Sequence, residues 1–285
     1  MNTIILKNIV FSLVCTLMSL TAMTVQAQDI PAIKAVRDRA AKVEKLPTGL
    51  ILPEGFDDDL PTRKRVKKAI DPNMAGVECE DTCNHIHGID ISHYQGNVFW
   101  ETIAENSNMA YVYIKATEGG DRIDPKYENN LKTAHKNGLA VGSYHFYRPK
   151  TPQQKQLKNF TTQCRPHEQD LVPMIDIEVT NGLQTQAFCD SLFKFLDLVE
   201  KYYKQKPLLY TGANFYDKYL LGKLDGYKVM IAQYTQHEPK LKDDLDYTLW
   251  QYTGKGHIKG IKGYVDKSRF MRRHKLKEIR YKHKK

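Results

Sequence analysis

Two carboxylates interrupt an apolar run between residues 171 and 180. The run reads LVPMIDIEVT, and Asp176 and Glu178 stand two positions apart within it. Successive side chains of a strand point to opposite faces, so these carboxylates would project together, about 6 to 7 Å apart along the strand. A buried charge needs a partner, and a neighbouring like charge raises one pKa. The spacing therefore indicates one protonated acid beside one ionised acid, the pair that glycoside hydrolysis requires.

The same triplet has a simpler interpretation. Asp-x-Glu is common, and it also fits a strand end that meets water or a structural ion pair, because ion pairs perturb carboxylates too. The elements around the two acids decide between these interpretations.

Short β-rich runs recur from residue 87 onward, and helix-like segments at 125–137, 152–163 and 186–203 separate several of the early ones. Strands that alternate with helices predict a parallel sheet. Eight such strands predict a closed α/β barrel of the TIM type, with reduced connections in its last third. The runs cover residues 87–92, 111–117, 140–147, 172–178, 207–212, 228–234, 248–253 and 264–270.

A polar or aromatic side chain stands late in each of these runs. The catalytic groups of such barrels lie at the carboxyl ends of the strands. Polar groups at every strand end predict a single cleft large enough for a carbohydrate. They are Asp90, Lys115, Glu118, Tyr144, His145, Asp176, Glu178, Tyr210, Gln233, Gln251 and Asp266.

Seven short segments follow one another between residues 87 and 270. They read HGIDISHYQ (87–95), IKATEG (114–119), GSYHFY (142–147), PMIDIE (173–178), LYT (209–211), LWQY (249–252) and GYVD (263–266). In this order they resemble the family 25 glycoside hydrolases, which are lysozymes of the N-acetylmuramidase type. Each segment alone is weak, and the combination is specific.

The resemblance implies a modified barrel of eight strands and five helices. It also implies hydrolysis of the β-1,4 bond between N-acetylmuramic acid and N-acetylglucosamine in bacterial peptidoglycan, without a cofactor or a metal. By the same resemblance Glu178 is the general acid and Asp176 orients or stabilises the 2-acetamido group of the substrate, while Asp90 and Asp266 are the other acids of the cleft. We favour retention of configuration, assisted by that acetamido group.

Further polar and aromatic residues are candidates for binding substrate. Aromatic rings suit the apolar face of a pyranose, but each of them also fits core packing. Lys115 and Glu118 bind substrate or pair with each other, and His145 is interpreted as a core histidine. The candidate substrate-binding residues are Lys115, Glu118, Tyr144, Tyr210, Gln233, Trp250 and Gln251.

The amino terminus has the layout of a signal peptide. Lys7 precedes an apolar stretch that ends in Val25-Gln26-Ala27, which predicts cleavage after Ala27 and a periplasmic or secreted protein. An uncleaved membrane anchor is the alternative. No second apolar stretch is long enough to span a bilayer.

Charge divides the rest of the 285-residue chain, whose formal net charge is +10. We predict a charged linker at 28–84, the barrel domain at 85–272 and a basic tail at 273–285. Such a charge favours anionic partners, and export disfavours nucleic acid among them. The tail therefore suggests retention on anionic envelope polymers, or simply a solvated face. We expect a monomer.

Four cysteines remain after removal of the leader, and their even number permits two disulfides in any of three connectivities. We prefer Cys79 with Cys83 and Cys164 with Cys189. The first pair also lies near His85 and His87, but these four groups are too crowded for a usual zinc site.

Two other functions compete with the muramidase. Some chitinases place Asp-x-Glu on the fourth strand of a barrel, but they carry a further acid where this chain has Met174. A peptidoglycan-binding protein on an inactive barrel is the second rival. It would be expected to lose its acids, and all four are present here.

Overall fold

The computed structural model describes residues 86–106, 109–271 and 273–283. Nine strands in these residues form one sheet. They are β1 (His87–Ile91), β2 (Met109–Glu118), β3 (Arg122–Ile123), β4 (Ala140–Phe146), β5 (Met174–Asp176), β6 (Leu208–Gly212), β7 (Lys228–Ala232), β8 (Leu249–Gly256) and β9 (Val265–Phe270).

Eight of these strands close into a barrel. Their order is β1-β9-β8-β7-β6-β5-β4-β2, and β1 pairs with β2 to complete the circle. The two-residue β3 is outside this circle and pairs antiparallel with the last two residues of β2. The predicted α/β barrel of eight strands is confirmed, and each predicted run overlaps one of its strands.

The last strand differs from the predicted parallel arrangement, because β9 runs antiparallel to both β1 and β8. A parallel connection needs a crossover of about a dozen residues or more, and only eight residues separate β8 from β9. The reversal places the start of β9 beside the end of β1, where Asp266 is directly opposite Asp90.

Five helices accompany the described strands. They are α1 (Trp100–Ala104), α2 (Tyr127–Lys136), α3 (Gln153–Gln163), α4 (Thr185–Tyr203) and α5 (Ala213–Phe215), the last of which continues into a π turn at Tyr216–Leu220. On α4, Phe188, Leu192, Phe195 and Val199 recur at helical spacing and are fully buried. This apolar stripe packs α4 against the barrel.

The alternation of side chains along each strand divides the core into two layers. On β2, Tyr111 and Tyr113 belong to the cluster inside the barrel, whereas Val112 and Ile114 belong to the cluster between the barrel and the helices. The same alternation directs Ile175 and Ile177 outward and Met174 inward.

The carboxyl-terminal segment packs against the amino end of the barrel. The Ile279 carbonyl accepts a hydrogen bond from the Val172 backbone at 2.8 Å, and the Tyr281 amide donates to the Asp170 carbonyl at 2.9 Å. Ile279 itself is 0% exposed and belongs to the inner cluster. Residues 273–283 therefore belong to the barrel fold, and only their basic side chains, such as Lys277, face solvent.

Shortening the Ile279 side chain tests this packing. Ile279→Ala should lower the free energy of unfolding by about 2 to 5 kcal/mol, because it removes three buried carbon atoms and leaves a cavity. Lys277→Ala, an exposed position of the same segment, should change it by less than about 0.5 kcal/mol. Urea unfolding measures both values, and equal stability of the two variants would contradict the docked arrangement.

The predicted disulfide between Cys164 and Cys189 is wrong. Both cysteines are buried as free thiols, and Tyr203 donates its hydroxyl hydrogen to the Cys164 carbonyl at 2.6 Å. Cys164 ends α3 and Cys189 lies in the first turns of α4, where its thiol contacts the Tyr219 carbonyl at 3.5 Å. Each thiol is thus packed separately as a small apolar group.

The predicted leader, the predicted linker, and Cys79 and Cys83 lie outside the described residues. Among the residues that are described, no helix combines the length and apolar character needed to cross a membrane.

Candidate active site

A cleft opens at the carboxyl ends of the barrel strands. Its empty volume is about 560 Å3. All four predicted acids line it, together with a cation, an amide, three aromatic rings and a thioether. The lining residues are Asp90, Lys115, Tyr144, Phe146, Met174, Asp176, Glu178, Tyr210, Gln251 and Asp266.

Asp176 and Glu178 share one side of the chain at the end of β5. Ile177 between them points outward into the core, so both carboxylates face the cleft as the alternation predicts. Asp176 is buried and is the last residue of β5, whereas Glu178 lies beyond the strand and is exposed at the cleft mouth. The two acids therefore occupy different depths.

Both carboxyls of this pair have raised pKa values. Burial, followed by the charge of Glu178, raises the pKa of Asp176 well above its usual range. Partial desolvation raises the pKa of Glu178, and the charges of Lys115 and Arg148 oppose that rise. In the described structure Asp176 Oδ1 has no hydrogen-bond partner. Such a pair resists ionising together, so a proton is held near neutral pH.

Asp90 is held by a buried amide. Gln251 donates from Nε2 to Asp90 Oδ2 at 2.6 Å, while Gln251 Oε1 accepts from the hydroxyls of Tyr210 at 2.9 Å and Tyr234 at 2.8 Å. The two hydroxyl donors fix the orientation of the amide. The Asp90 side chain, on β1, is therefore positioned by Gln251 of β8, which lies far away in the sequence.

The acids across the cleft, Asp90 and Asp266, also have raised pKa values. Burial, followed by the charge of Asp266, raises the pKa of Asp90 to about 8, although the hydrogen bond from Gln251 opposes the rise. Burial and the charge of Glu178 raise the pKa of Asp266 to about 6. At neutral pH the neutral Asp90 can donate a hydrogen bond, and its Oδ1 has no partner within the described residues.

Lys115 brings a positive charge to this acidic cleft. Its Nζ lies 2.9 Å from Glu118 Oε2 and 5.2 Å from the centre of the Phe146 ring. Glu118 also accepts from Arg148 Nη2 at 2.6 Å and from Arg122 Nη1 at 2.8 Å. Although partial burial opposes it, the bonds from Lys115 and Arg148 lower the pKa of Glu118 to about 2. Glu118 therefore pairs with three cations, and one of them, Lys115, lines the cleft.

Comparison with known proteins identifies the family. Residues 89–261 match the family model described as glycosyl hydrolases family 25. The chain belongs to this family. The family resemblance of the sequence is thus confirmed, and the chain is a glycoside hydrolase.

Several relatives of this family 25 chain are known. It is 31% identical over 185 residues to the uncharacterized protein YegX of Escherichia coli, covering 64% of this chain and 68% of YegX. It is 33% identical over 186 residues to the autolytic lysozyme of Clostridium acetobutylicum, covering 64% of this chain and 55% of that protein.

Solved structures share the barrel. A family 25 glycosyl hydrolase from Bacillus anthracis superimposes with a TM-score of 0.62 at 29% identity, over 68% of this chain and 91% of that one. A bacterial lysozyme from Streptomyces coelicolor gives 0.61 at 25% identity, over 68% and 94%.

The structure brings most, but not all, of the predicted substrate-binding residues to the family 25 cleft. Lys115, Tyr144, Tyr210 and Gln251 line it. Three others do not line it and are not part of the site that we propose. They are Glu118, which is held in ion pairs; Trp250, which is 1% exposed and packs in the core; and Gln233, whose carbonyl accepts from Trp250 Nε1 at 2.9 Å.

Three residues of the site escaped the sequence analysis. Phe146 and Met174 line the cleft, and Tyr234 reaches Gln251. The signal for the first two was present, because they stand two positions from Tyr144 and Asp176 and so share their faces. Tyr234 follows β7 in a loop, where no strand periodicity applies. His145 is buried between Thr117 and Gln156 and is a core histidine.

The raised pKa of Asp90 makes a prediction about stability. The native state binds this proton more tightly than the unfolded chain, where the pKa is about 4. The stability contributed is complete below pH 4 and is lost as pH rises toward 8. Asp90→Asn should therefore gain stability relative to the native chain between pH 5 and pH 8, on the order of a few kcal/mol.

Urea unfolding at pH 5 and pH 8 measures the free energy of unfolding of Asp90→Asn relative to the native chain. Asp197→Asn replaces an exposed acid on α4 and should show no such gain. Parallel pH dependence of the native chain and Asp90→Asn would refute the assigned pKa.

Proposed function

We propose that this family 25 chain is a lysozyme of the N-acetylmuramidase type. It hydrolyses the β-1,4 bond between N-acetylmuramic acid and N-acetylglucosamine in bacterial peptidoglycan. The observation that carries this proposal is the pair Asp176 and Glu178, two carboxyls with raised pKa values at different depths of one cleft. Relatives named autolytic lysozyme and N,O-diacetylmuramidase support the substrate class.

Glu178 acts as the general acid. It stands at the mouth of the cleft, where a glycosidic oxygen can reach it, and its raised pKa keeps a proton available. As the bond between the anomeric carbon and that oxygen breaks, the Glu178 proton passes to the leaving oxygen. The resulting carboxylate is stabilised by Lys115.

Asp176 assists from a deeper position. The acetamido oxygen of the substrate attacks the anomeric carbon and forms a cyclic oxazolinium, while Asp176 accepts the acetamido N–H through its oxygens. Water then adds to the anomeric carbon as its bond to the acetamido oxygen breaks, which restores the acetamido group, and the water gives its proton to Glu178, which restores the acid. Two displacements retain the configuration, so NMR should detect the β anomer first. Initial formation of the α anomer would reject acetamido assistance.

The remaining cleft residues bind and orient the sugar. Asp90, neutral at pH 7, donates to a substrate hydroxyl, and Asp266 accepts from one. Tyr144 and Tyr210 provide ring surface, and Gln251 and Lys115 provide donors to substrate oxygens. None of these steps calls for a cofactor.

Mass spectrometry of digested peptidoglycan tests the bond that is cut. After borohydride reduction, products of a muramidase carry reduced N-acetylmuramic acid at the former reducing end. Reduced N-acetylglucosamine at that end would overturn the proposal. Parallel digestion of chitin oligomers separates the chitinase alternative, which Met174 disfavours.

The location and state of the chain are also proposed. We propose export through a signal peptide at 1–27, with action outside the cytoplasm as a monomer. Amino-terminal sequencing of the exported protein should begin at Gln28.

Exposed Lys275, Lys277 and Lys282 project from the end of the barrel opposite the cleft, and they support retention on anionic envelope polymers. Replacing these lysines by glutamine should weaken envelope binding at low salt.

A further inference from the structure

A basic arm borders the cleft on one side. We use the term β8–β9 arm for residues 254–264, which include the end of β8 and the connection to β9. The arm begins and ends at the acid cluster, since a Cβ atom at Gly254 would lie 3.1 Å from Asp266 Oδ1 and Asp266 itself follows the arm by two residues. Any ligand that extends from the cleft on this side meets the arm.

The arm is fixed against the loop that follows β1. Phe99 donates its backbone N–H to the Gly260 carbonyl at 2.8 Å, and Val98 forms a bridge with Ile261. Gly260 has a φ of +100°, and a Cβ there would lie 2.7 Å from the Phe99 carbonyl oxygen. The close approach therefore requires glycine. These contacts hold the arm in a fixed position beside the cleft.

The β8–β9 arm carries positive charge that no acidic residue of the arm balances. Lys255, Lys259 and Lys262 are exposed, and residues 254–264 contain no Asp or Glu. Within the described part of the chain, none of these lysines has a carboxylate within 4.0 Å. Lys115 and Arg148, on the other side of the cleft, differ because Glu118 pairs with both. Three cations thus stand beside the site without a carboxylate counter-ion among the described residues.

We propose that the β8–β9 arm binds the carboxylates of the stem peptides on peptidoglycan. This inference rests on the proposed function. Each N-acetylmuramic acid bears a peptide through its lactyl group, and the peptide ends in free carboxylates. A glycan strand held in the cleft extends its peptides beyond the sugar-binding acids, toward the rim. Lys259 and Lys262 lie on the part of the arm that faces solvent, and their charge is complementary to such groups.

The test uses two soluble substrates that differ in charge alone. One is a set of peptidoglycan oligosaccharides with intact stem peptides, and the other is the same material with its peptide carboxylates amidated. Lys259→Gln/Lys262→Gln should raise KM about three- to tenfold on the intact substrate, with kcat unchanged. On the amidated substrate, the variant and the native protein should have equal KM values. Lys194→Gln/Lys201→Gln, which removes the same charge from the exposed face of α4, should not change KM.

Other outcomes would overturn the inference. Equal KM values of native and variant protein on the intact substrate would show that the arm does not bind it. An equal rise in KM on both substrates would show that the lysines act on the glycan instead of the carboxylates. Failure of the native protein to cleave either substrate would instead reject the proposed function, so the two failures are distinguishable.

Discussion

Glu178→Gln is expected to lower kcat on peptidoglycan about a thousandfold, within the roughly 10²- to 10⁴-fold range of general acid catalysis. The glutamine amide keeps the size of the side chain but has no proton to give the leaving oxygen. Glu178 is exposed at the cleft mouth and lies outside the strand, so the fold should be unaffected. Release of soluble muropeptides measures the rate, and thermal unfolding verifies the fold.

The matched control is Glu128→Gln, which replaces an exposed glutamate on α2 and should retain full activity. The comparison also tests the inactive-barrel alternative. If native protein and Glu178→Gln cleared a cell-wall suspension equally, the clearing would come from binding or from a contaminant, and Glu178 would not be the acid.

Asp176→Asn is expected to lower kcat by about 10² to 10³ and to raise stability at the same time. The native carboxyl is buried beside other acids, its pKa is well above the usual range, and its Oδ1 has no partner in the described structure. Asparagine removes the cost of holding this ionisable group in a desolvated site. It also replaces one carboxyl oxygen, which can accept the acetamido N–H, by an NH2 donor, and it removes the negative charge that can stabilise the oxazolinium. Gain of stability with loss of activity is the usual signature of a functional site.

Muropeptide release and urea unfolding at pH 8 provide the two measurements. Unfolding at pH 5 provides a third, because stability held by a proton on Asp176 is lost as pH rises, and the gain should be smaller at pH 5. Asp197→Asn is again the control. Activity close to native would exclude Asp176 from the reaction, and a clear loss of stability would mean that the carboxyl serves the fold.

Much of the barrel could be predicted from the sequence because its strands are short apolar runs of distinct composition. Each of the eight predicted runs overlaps one observed strand, and the three predicted helical segments correspond to α2, α3 and α4. The joint projection of Asp176 and Glu178 was predictable for the same reason. Strand alternation is a local rule, and it needs no information from elsewhere in the chain.

Partners far along the chain could not be predicted in this way. Trp250 and Tyr210 are both aromatic residues near strand ends, yet one packs in the core and the other lines the cleft. Glu118 looked like a site residue, but Arg148, thirty residues away, turns it into part of an ion-pair cluster. The buried free thiols of Cys164 and Cys189 likewise depend on how α3 and α4 pack, which an even count of cysteines does not determine.

The sequence by itself determined the type of fold, the family resemblance, and the two acids at the end of β5, because periodicity and short motifs are written in neighbouring residues. Only the tertiary structure decided that β9 reverses, that Asp266 meets Asp90, and that the carboxyl-terminal segment packs against the barrel. The contact of Gln251 with Asp90 joins residues 161 positions apart. Such contacts exist only after the barrel closes, and closure depends on the packing of all eight strands together.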